Sequence, residues 1–115
     1  KAEKMSNQVK FLEPIEVLEK IRNGSAYVVD VREPHEYAQA HIKNVPLMSM
    51  SQFDPKEIKP AKNQLLILHC RSGQRCGIVS DQLIASGYKG SIYRMSGGLL
   101  AWEKAGLPLE INLTN

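Results

Sequence analysis

Residues 65–77, LLILHCRSGQRCG, decide the fold of this chain. The apolar run at 65–68 is typical of a strand that is buried on both faces. Cys70 follows the strand, and after it come the polar, glycine-containing residues 71–74 and a helix that we expect to begin at or near Arg75. A buried strand that leads through a short loop into a helix is the repeating unit of parallel α/β sheets.

Strand and helix patterns alternate on both sides of this unit. We predict a short edge strand at 9–11, further strands at 26–31 and 91–95, and helices at 14–22, 34–40, 75–86 and 99–105. Residues 41–60 contain three prolines and are predicted to be mostly loop. This order predicts an α/β fold, with a mostly parallel central sheet flanked by helices on both faces. In such sheets ligands bind beyond the carboxyl ends of the strands, where Cys70 is expected.

Length and composition predict one globular domain. The chain has 115 residues, of which 43% are hydrophobic and 23% charged, as in ordinary globular proteins. We expect a flexible N-terminal segment at 1–8, a folded domain at 9–110 and a C-terminal tail at 111–115. Nothing in the sequence requires more than a monomer.

Charge and hydropathy exclude two kinds of partner. The net charge is +3 and no run of five basic residues occurs, so a nucleic-acid partner is not expected. No stretch of eighteen apolar residues occurs, so no membrane span is expected. We expect a cytoplasmic protein, or a periplasmic one if a signal peptide was removed, because the first residue is Lys1 rather than Met.

The loop after Cys70 is suited to activating a thiol. Successive N–H groups of such a loop form an anion site, the following helix N-terminus adds partial positive charge, and Arg71 and Arg75 add full charges. These features predict a lowered pKa for Cys70. An inert core cysteine is the alternative, but it needs neither flanking arginines nor a polar loop. Cys70, Cys76 and His69 fall short of a structural zinc site, so no metal is expected.

Three motifs in order resemble the rhodanese family. The loop CRSGQR at 70–75 resembles its active-site loop. The upstream motif is DVRE at 30–33 with EY at 36–37 and HI at 41–42, and the closing motif is YRMSGG at 93–98 with AW at 101–102 and AGLP at 105–108. The resemblance covers about residues 11–109. It implies a rhodanese-like fold for the predicted domain.

The resemblance also implies a double-displacement sulfur transfer without a cofactor. The Cys70 thiolate attacks thiosulfate or another small anionic sulfane donor, and the resulting persulfide passes its sulfur to a thiophilic acceptor such as cyanide, a small cellular thiol or a thiol on a protein. The implied substrate-binding residues form the loop: Arg71, Ser72, Gly73, Gln74, Arg75 and Cys76.

Three other functions stay open at this point. The domain could be a sulfur-relay module that acts with a protein partner, a phosphatase or arsenate reductase, or a catalytically silent regulatory domain. Phosphatases that resemble this family have one residue more between cysteine and arginine, whereas here four residues separate Cys70 from Arg75. The shorter loop favours sulfur over phosphate, and the intact loop argues against a silent domain.

The sequence departs from the family pattern at three places. Ala40 replaces a glycine before the His-Ile pair, the stretch at 43–46 is shortened, and Cys76 stands where serine or alanine is more usual. Cys76 could be a resolving thiol that forms a disulfide with Cys70, or merely a small residue in the first helical turn, the interpretation we favour. Mild peroxide followed by mass analysis decides between them.

Several polar residues near these motifs are expected to be structural. We predict that Asp30 and Arg32 brace neighbouring loops and that Arg32 pairs with Glu36. His35 and His41 have no partner pattern that places them near Cys70. His69 adjoins Cys70, but neighbouring residues on a strand point to opposite faces. Packing is also the role we expect for Met48, Met50, Tyr93 and Trp102.

Overall fold

The computed structural model describes residues 8–113. The strands are β1 Val9–Leu12, β2 Ala26–Asp30, β3 Ala40–His41, β4 Leu65–His69, β5 Ile92–Met95 and β6 Glu110–Ile111. The helices are α1 Pro14–Arg22, α2 Pro34–Gln39, α3 Gln74–Ala85 and α4 Gly98–Lys104. Residues 1–7 of the predicted flexible segment, and 114–115 of the predicted tail, lie outside the described residues.

The central sheet has the predicted parallel arrangement. Its strand order is β1-β5-β4-β2, and each of the three pairings is parallel. The predicted edge strand lies at the edge, where Val9 pairs with Ile92. In the register of β2 and β4, Asp30 lies beside His69, so the carboxyl ends of these strands place Asp30 and Cys70 at one edge of the sheet.

Helices cover both faces of this sheet, as predicted. On one face α3 buries Val79 and Leu83 against the β4 residues Leu66 and Leu68. On the other face α1 and α4 bury side chains such as Val17 and Trp102 against Ile67 and Met95 of the sheet. The structure thus confirms the predicted α/β fold class.

Helices α1 and α2 begin in the same way. Each has a proline as its first residue, where the missing N–H costs nothing. Each is preceded by a glutamate whose backbone N–H donates to a second glutamate three residues on, Glu13 to Glu16 at 2.8 Å and Glu33 to Glu36 at 2.9 Å. This capping box satisfies donors that the first turn leaves free. It also orients the Glu36 carboxylate.

The sequence did not predict a small second sheet. Strands β3 and β6 pair antiparallel through Ala40 with Ile111 and His41 with Glu110. Each strand has two residues, too few to give a periodic pattern. The predicted boundary between domain and tail, at 110/111, falls within β6.

Asp30 and Arg32 form a buried ion pair that braces two loops. Asp30 accepts hydrogen bonds from the Arg32 backbone N–H at 2.9 Å and from its Nη2 at 2.8 Å. Arg32 Nη2 also donates to the carbonyl oxygen of Ala40 at 2.6 Å, and the carbonyl oxygen of Asp30 accepts from the Met48 N–H at 2.8 Å. The predicted pairing of Arg32 with Glu36 is wrong, because the Arg32 guanidinium forms its ion pair with the buried carboxylate of Asp30.

We expect Asp30→Ala to lower the free energy of unfolding by about 3–5 kcal/mol, because it leaves a buried guanidinium without its carboxylate. Asp30 is fully buried and Arg32 is 4% exposed. Urea denaturation measures the effect. Asp81→Ala is the matched control: it removes the same charge from an exposed position, where a change within about 0.5 kcal/mol is expected. Equal effects of the two substitutions would contradict the bracing role.

Across residues 8–113, the helices are all too short or too polar to cross a bilayer.

Candidate active site

Cys70 lies where β4 ends and its sulfur is enclosed by the following loop. The residue is 1% exposed. Gly73 caps α3 with a φ of 109°, a conformation that favours glycine. In this conformation its N–H donates to Cys70 Sγ at 3.0 Å. The backbone N–H groups of Arg75 and Cys76 also help to lower the pKa of this sulfur, so amides of the loop and of the first turn of α3 favour its anion.

These donors lower the pKa of Cys70 to about 5, from 9.0 for an unperturbed thiol. The largest cause is a hydrogen bond from the Cys76 side chain; burial opposes it, and the N–H groups of Cys76, Gly73 and Arg75 add to it. The predicted lowering of this pKa is therefore confirmed, but its leading causes are hydrogen bonds rather than arginine side chains. Cys70 is a thiolate at neutral pH.

We expect the alkylation rate of Cys70 by iodoacetamide to follow a single titration with a midpoint near pH 5. A lowered pKa means that the reactive thiolate is present above this midpoint and lost below it. Adduct formation, followed by mass spectrometry, gives the profile. The same chain unfolded in urea is the control and should titrate near 9.0, the value of an unperturbed thiol. A folded-state midpoint near that control would contradict the hydrogen-bonded thiolate.

The Arg75 side chain is held by Glu36 and does not face a free anion site. Its Nη1 and Nη2 donate to the two carboxylate oxygens of Glu36 at 2.7 and 2.8 Å. This bidentate pair is the main cause that lowers the pKa of Glu36 to about 2. The pair ties α2 to the first turn of α3, so Arg75 contributes its backbone N–H to the sulfur while its side chain fixes the loop.

Arg71 carries the uncompensated positive charge of the loop. Its side chain is exposed and forms no ion pair with any residue in the range 8–113. It lines a cavity of about 200 Å³ together with Gln39, Leu100 and Glu103. Ser72 and Gln74 are also exposed on the loop surface. Among the predicted substrate-binding side chains, Arg71 is thus the cation available to an anion.

Arg94 supports the cysteine loop through its side chain, a role that was not predicted from the sequence. Its Nη2 donates to the carbonyl oxygen of Gly73 at 2.8 Å, and its guanidinium lies over the Phe11 ring at 4.8 Å. Gly77 makes room for it, because a Cβ there would lie 3.3 Å from the Arg94 nitrogens. The signal in the sequence was a charged residue within the otherwise apolar strand β5.

The glycine pair 97–98 brings α4 against the cysteine loop. The first N–H groups of α4 donate to the loop, Leu99 to the carbonyl oxygen of Cys70 at 2.8 Å and Leu100 to that of Arg71 at 3.1 Å. Gly98 has a φ of 61°, and a Cβ there would lie 2.5 Å from the Arg71 oxygen. Gly98 is therefore a close-approach point between the backbones of α4 and the cysteine loop. In the sequence, the glycine pair was identified only as part of the closing motif at 93–98.

Within residues 8–113, the histidines form no hydrogen bond with the Cys70 sulfur. His69 is fully buried, with Nε2 3.5 Å from Asp30 Oδ2, and burial lowers its pKa so that the ring is neutral. Its Nδ1 approaches the Cys70 carbonyl oxygen at 3.5 Å rather than the thiol. His41 stacks on Tyr37, and His35 is exposed. Within the described part of the chain, no group of three or more residues could hold a metal ion.

Comparison with known proteins agrees with the fold and with the position of the cysteine loop. The family model "Rhodanese-like domain" matches residues 13–105. An uncharacterized protein of Synechocystis sp. is 38% identical over 92 residues, which are 79% of this chain and 51% of that protein. A tRNA uridine(34) hydroxylase of Chlamydia abortus is 31% identical over 110 residues, covering 88% of this chain and 33% of the relative. The chain thus spans about half or a third of these curated relatives.

A solved structure shows the same fold over nearly its whole length. The rhodanese-like domain protein of Staphylococcus aureus superposes with a TM-score of 0.72 at 29% identity, covering 90% of this chain and 98% of that one. Fold and site together define a parallel α/β domain that presents an activated cysteine in a loop at the carboxyl end of its sheet. The chain belongs to the rhodanese-like domain family.

Proposed function

We propose that this domain is a sulfurtransferase that carries sulfane sulfur as a persulfide on Cys70. The observation that carries the proposal is the buried thiolate, which accepts hydrogen bonds from backbone N–H groups of its own loop. The Cys70 thiolate attacks the outer sulfur of thiosulfate, the S–S bond of the donor breaks, and sulfite leaves with the electron pair. Cyanide or a thiolate then attacks the outer sulfur of the persulfide, and the Cys70 thiolate leaves.

The loop supplies what each step needs. N–H groups that already point at the sulfur can hold the negative charge of the persulfide without reorganisation. The uncompensated cation of Arg71 attracts an anionic donor. Because Cys70 is 1% exposed, a donor with an extended terminal sulfur suits the site better than a bulky one. These features support a small anionic sulfane donor.

The loop supports sulfur over phosphate as the substrate. Four residues separate Cys70 from Arg75, and the Arg75 guanidinium is engaged by Glu36 on both nitrogens. A phosphate in the loop would need a free guanidinium or a wider cradle of donors. The function best supported is therefore transfer of sulfur, by a monomer that needs no cofactor and is proposed to act in the cytoplasm, where reduced thiols serve as acceptors.

A second candidate is a sulfur-relay module that exchanges sulfur with another domain or a protein partner. The lengths of the curated relatives favour it, since this chain matches only 51% of the Synechocystis protein and 33% of the Chlamydia tRNA uridine(34) hydroxylase. Both candidates use the same Cys70 persulfide. They differ in the donor and the acceptor.

Steady-state turnover separates the candidates. Thiocyanate formation from thiosulfate and cyanide is expected for the parent, and none for Cys70→Ser. Persulfide formation from glutathione persulfide or a persulfidated protein, without thiosulfate turnover, would favour the relay. Hydrolysis of 4-nitrophenyl phosphate that depends on Cys70, with no sulfur transfer from any donor, would overturn the proposal in favour of a phosphatase.

A further inference from the structure

The Arg94 side chain, on β5, is held in place by an aromatic ring and a glycine. Its guanidinium carbon lies 4.8 Å from the centre of the Phe11 ring. On α3, Gly77 leaves the space that this group needs, because a Cβ there would lie 3.3 Å from Arg94 Nη1 and Nη2. The Nε of Arg94 is buried and has no hydrogen-bond partner among residues 8–113. These contacts leave the guanidinium little room to take another position.

Gly73 connects this guanidinium to the reactive sulfur. Its carbonyl oxygen accepts a hydrogen bond from Arg94 Nη2 at 2.8 Å, and its N–H donates to Cys70 Sγ at 3.0 Å. The φ and ψ bonds of one residue are all that separate this N–H from this carbonyl group. Gly73 has a φ of 109°, and glycine has more backbone freedom to lose than any other residue. Anchoring its carbonyl group therefore restricts the direction of its N–H.

The charge of Arg94 has no carboxylate partner in the described part of the chain. The arginine ion pairs found there join Arg32 to Asp30 and Arg75 to Glu36. A half-buried cation without a counter-ion is costly to hold in place. This one is linked through a single glycine to the thiolate, and a nearby positive charge favours the ionised form of a thiol. The position and the charge of the guanidinium therefore act on the cysteine in the same direction.

We infer that Arg94 is a positioning residue for Cys70: by binding the Gly73 carbonyl oxygen it keeps the Gly73 N–H directed at the sulfur. The inference goes beyond support of the loop, because it gives a side chain of β5 a part in the ionisation and reactivity of the cysteine. It deepens the proposed function and rests on it for one step, in which the same N–H holds the inner sulfur of the Cys70 persulfide.

The test is the pH profile of Cys70 alkylation by iodoacetamide in folded variants. Arg94→Met removes the donor and the charge, and we expect the midpoint to rise by about one pH unit, the effect of one hydrogen bond to a charged group. Arg94→Lys keeps the charge and a donor for the single bond to Gly73, so its midpoint should rise by at most about half as much. Mass mapping confirms that the adduct is on Cys70.

Two controls separate positioning from packing and from surface charge. Phe11→Leu removes the ring beside the guanidinium but leaves its bond to Gly73. Arg22→Met makes the same exchange at an exposed position at the end of α1. Both should keep the parent midpoint within about 0.3 pH units, since neither changes the groups around the sulfur and exposed charges are screened. Urea denaturation of each variant measures lost packing, which lowers stability without moving the midpoint.

The inference is overturned if folded Arg94→Met keeps the parent midpoint, or if Arg94→Lys or Phe11→Leu raises the midpoint as far as Arg94→Met does. Should Arg94→Met not fold, Arg94→Gln takes its place with the same expected rise, because its shorter side chain ends before the position of the guanidinium nitrogens. The assay needs no sulfur donor, so it can fail while sulfur transfer is observed, and it can succeed when transfer is not.

Discussion

Cys70→Ser is expected to reduce sulfur transfer at least about 10³-fold, to the uncatalysed background, while the fold is retained. A serine hydroxyl is not ionised at neutral pH and cannot form a persulfide, although the loop amides that hold Cys70 would remain. Thiocyanate formation measures the loss, and circular dichroism checks the fold. Cys76→Ser is the matched control, because it also replaces sulfur with oxygen but at the second buried cysteine. It should retain transfer. Transfer by folded Cys70→Ser would place the chemistry elsewhere.

Gly98→Ala is expected to lower the free energy of unfolding by about 2–5 kcal/mol and to impair transfer. The new Cβ would lie 2.5 Å from the Arg71 oxygen and 2.6 Å from the Cys70 oxygen, so either α4 or the cysteine loop must move. The steric clash costs about 1–3 kcal/mol of stability. A side chain at positive φ costs a further ~1–2 kcal/mol.

Gly24→Ala is the control for the clash. Gly24 has a φ of 79°, but nothing lies within 4 Å of a Cβ placed there. It should cost only about 1–2 kcal/mol and leave transfer unchanged. Urea denaturation and thiocyanate formation compare the two variants. Equal losses would mean that the contact of α4 with the loop does not position Cys70.

The central sheet could be predicted because its strands carry strong local signals. The apolar run at 65–68 and the run at 26–31 can be buried only inside a sheet with both faces covered, and the order of strands and helices then favours parallel pairing. Strands β3 and β6 carry no such signal, since each has two residues. Their pairing depends on how the chain returns after α4.

The cysteine loop could be predicted because its donors are contiguous in sequence, whereas its supports are not. Glu36 reaches Arg75 from 39 residues away and Arg94 reaches Gly73 from 21 residues away. Such contacts arise only when the sheet brings its strand ends together. The expected pair of Arg32 with Glu36 failed because Arg32 pairs with Asp30, two residues before it, while Glu36 pairs with the distant Arg75.

The central claim is that Cys70 carries sulfur, and intact mass after incubation with thiosulfate tests it most directly. The parent is expected to gain the mass of one sulfur atom and to lose it again when cyanide is added, whereas Cys70→Ser should gain nothing. Glutathione persulfide is tested in parallel as a second sulfane donor. A parent chain that gains no sulfur from either donor, while its Cys70 is alkylated with a midpoint near pH 5, would contradict the account: the thiolate would be present without the sulfur chemistry assigned to it.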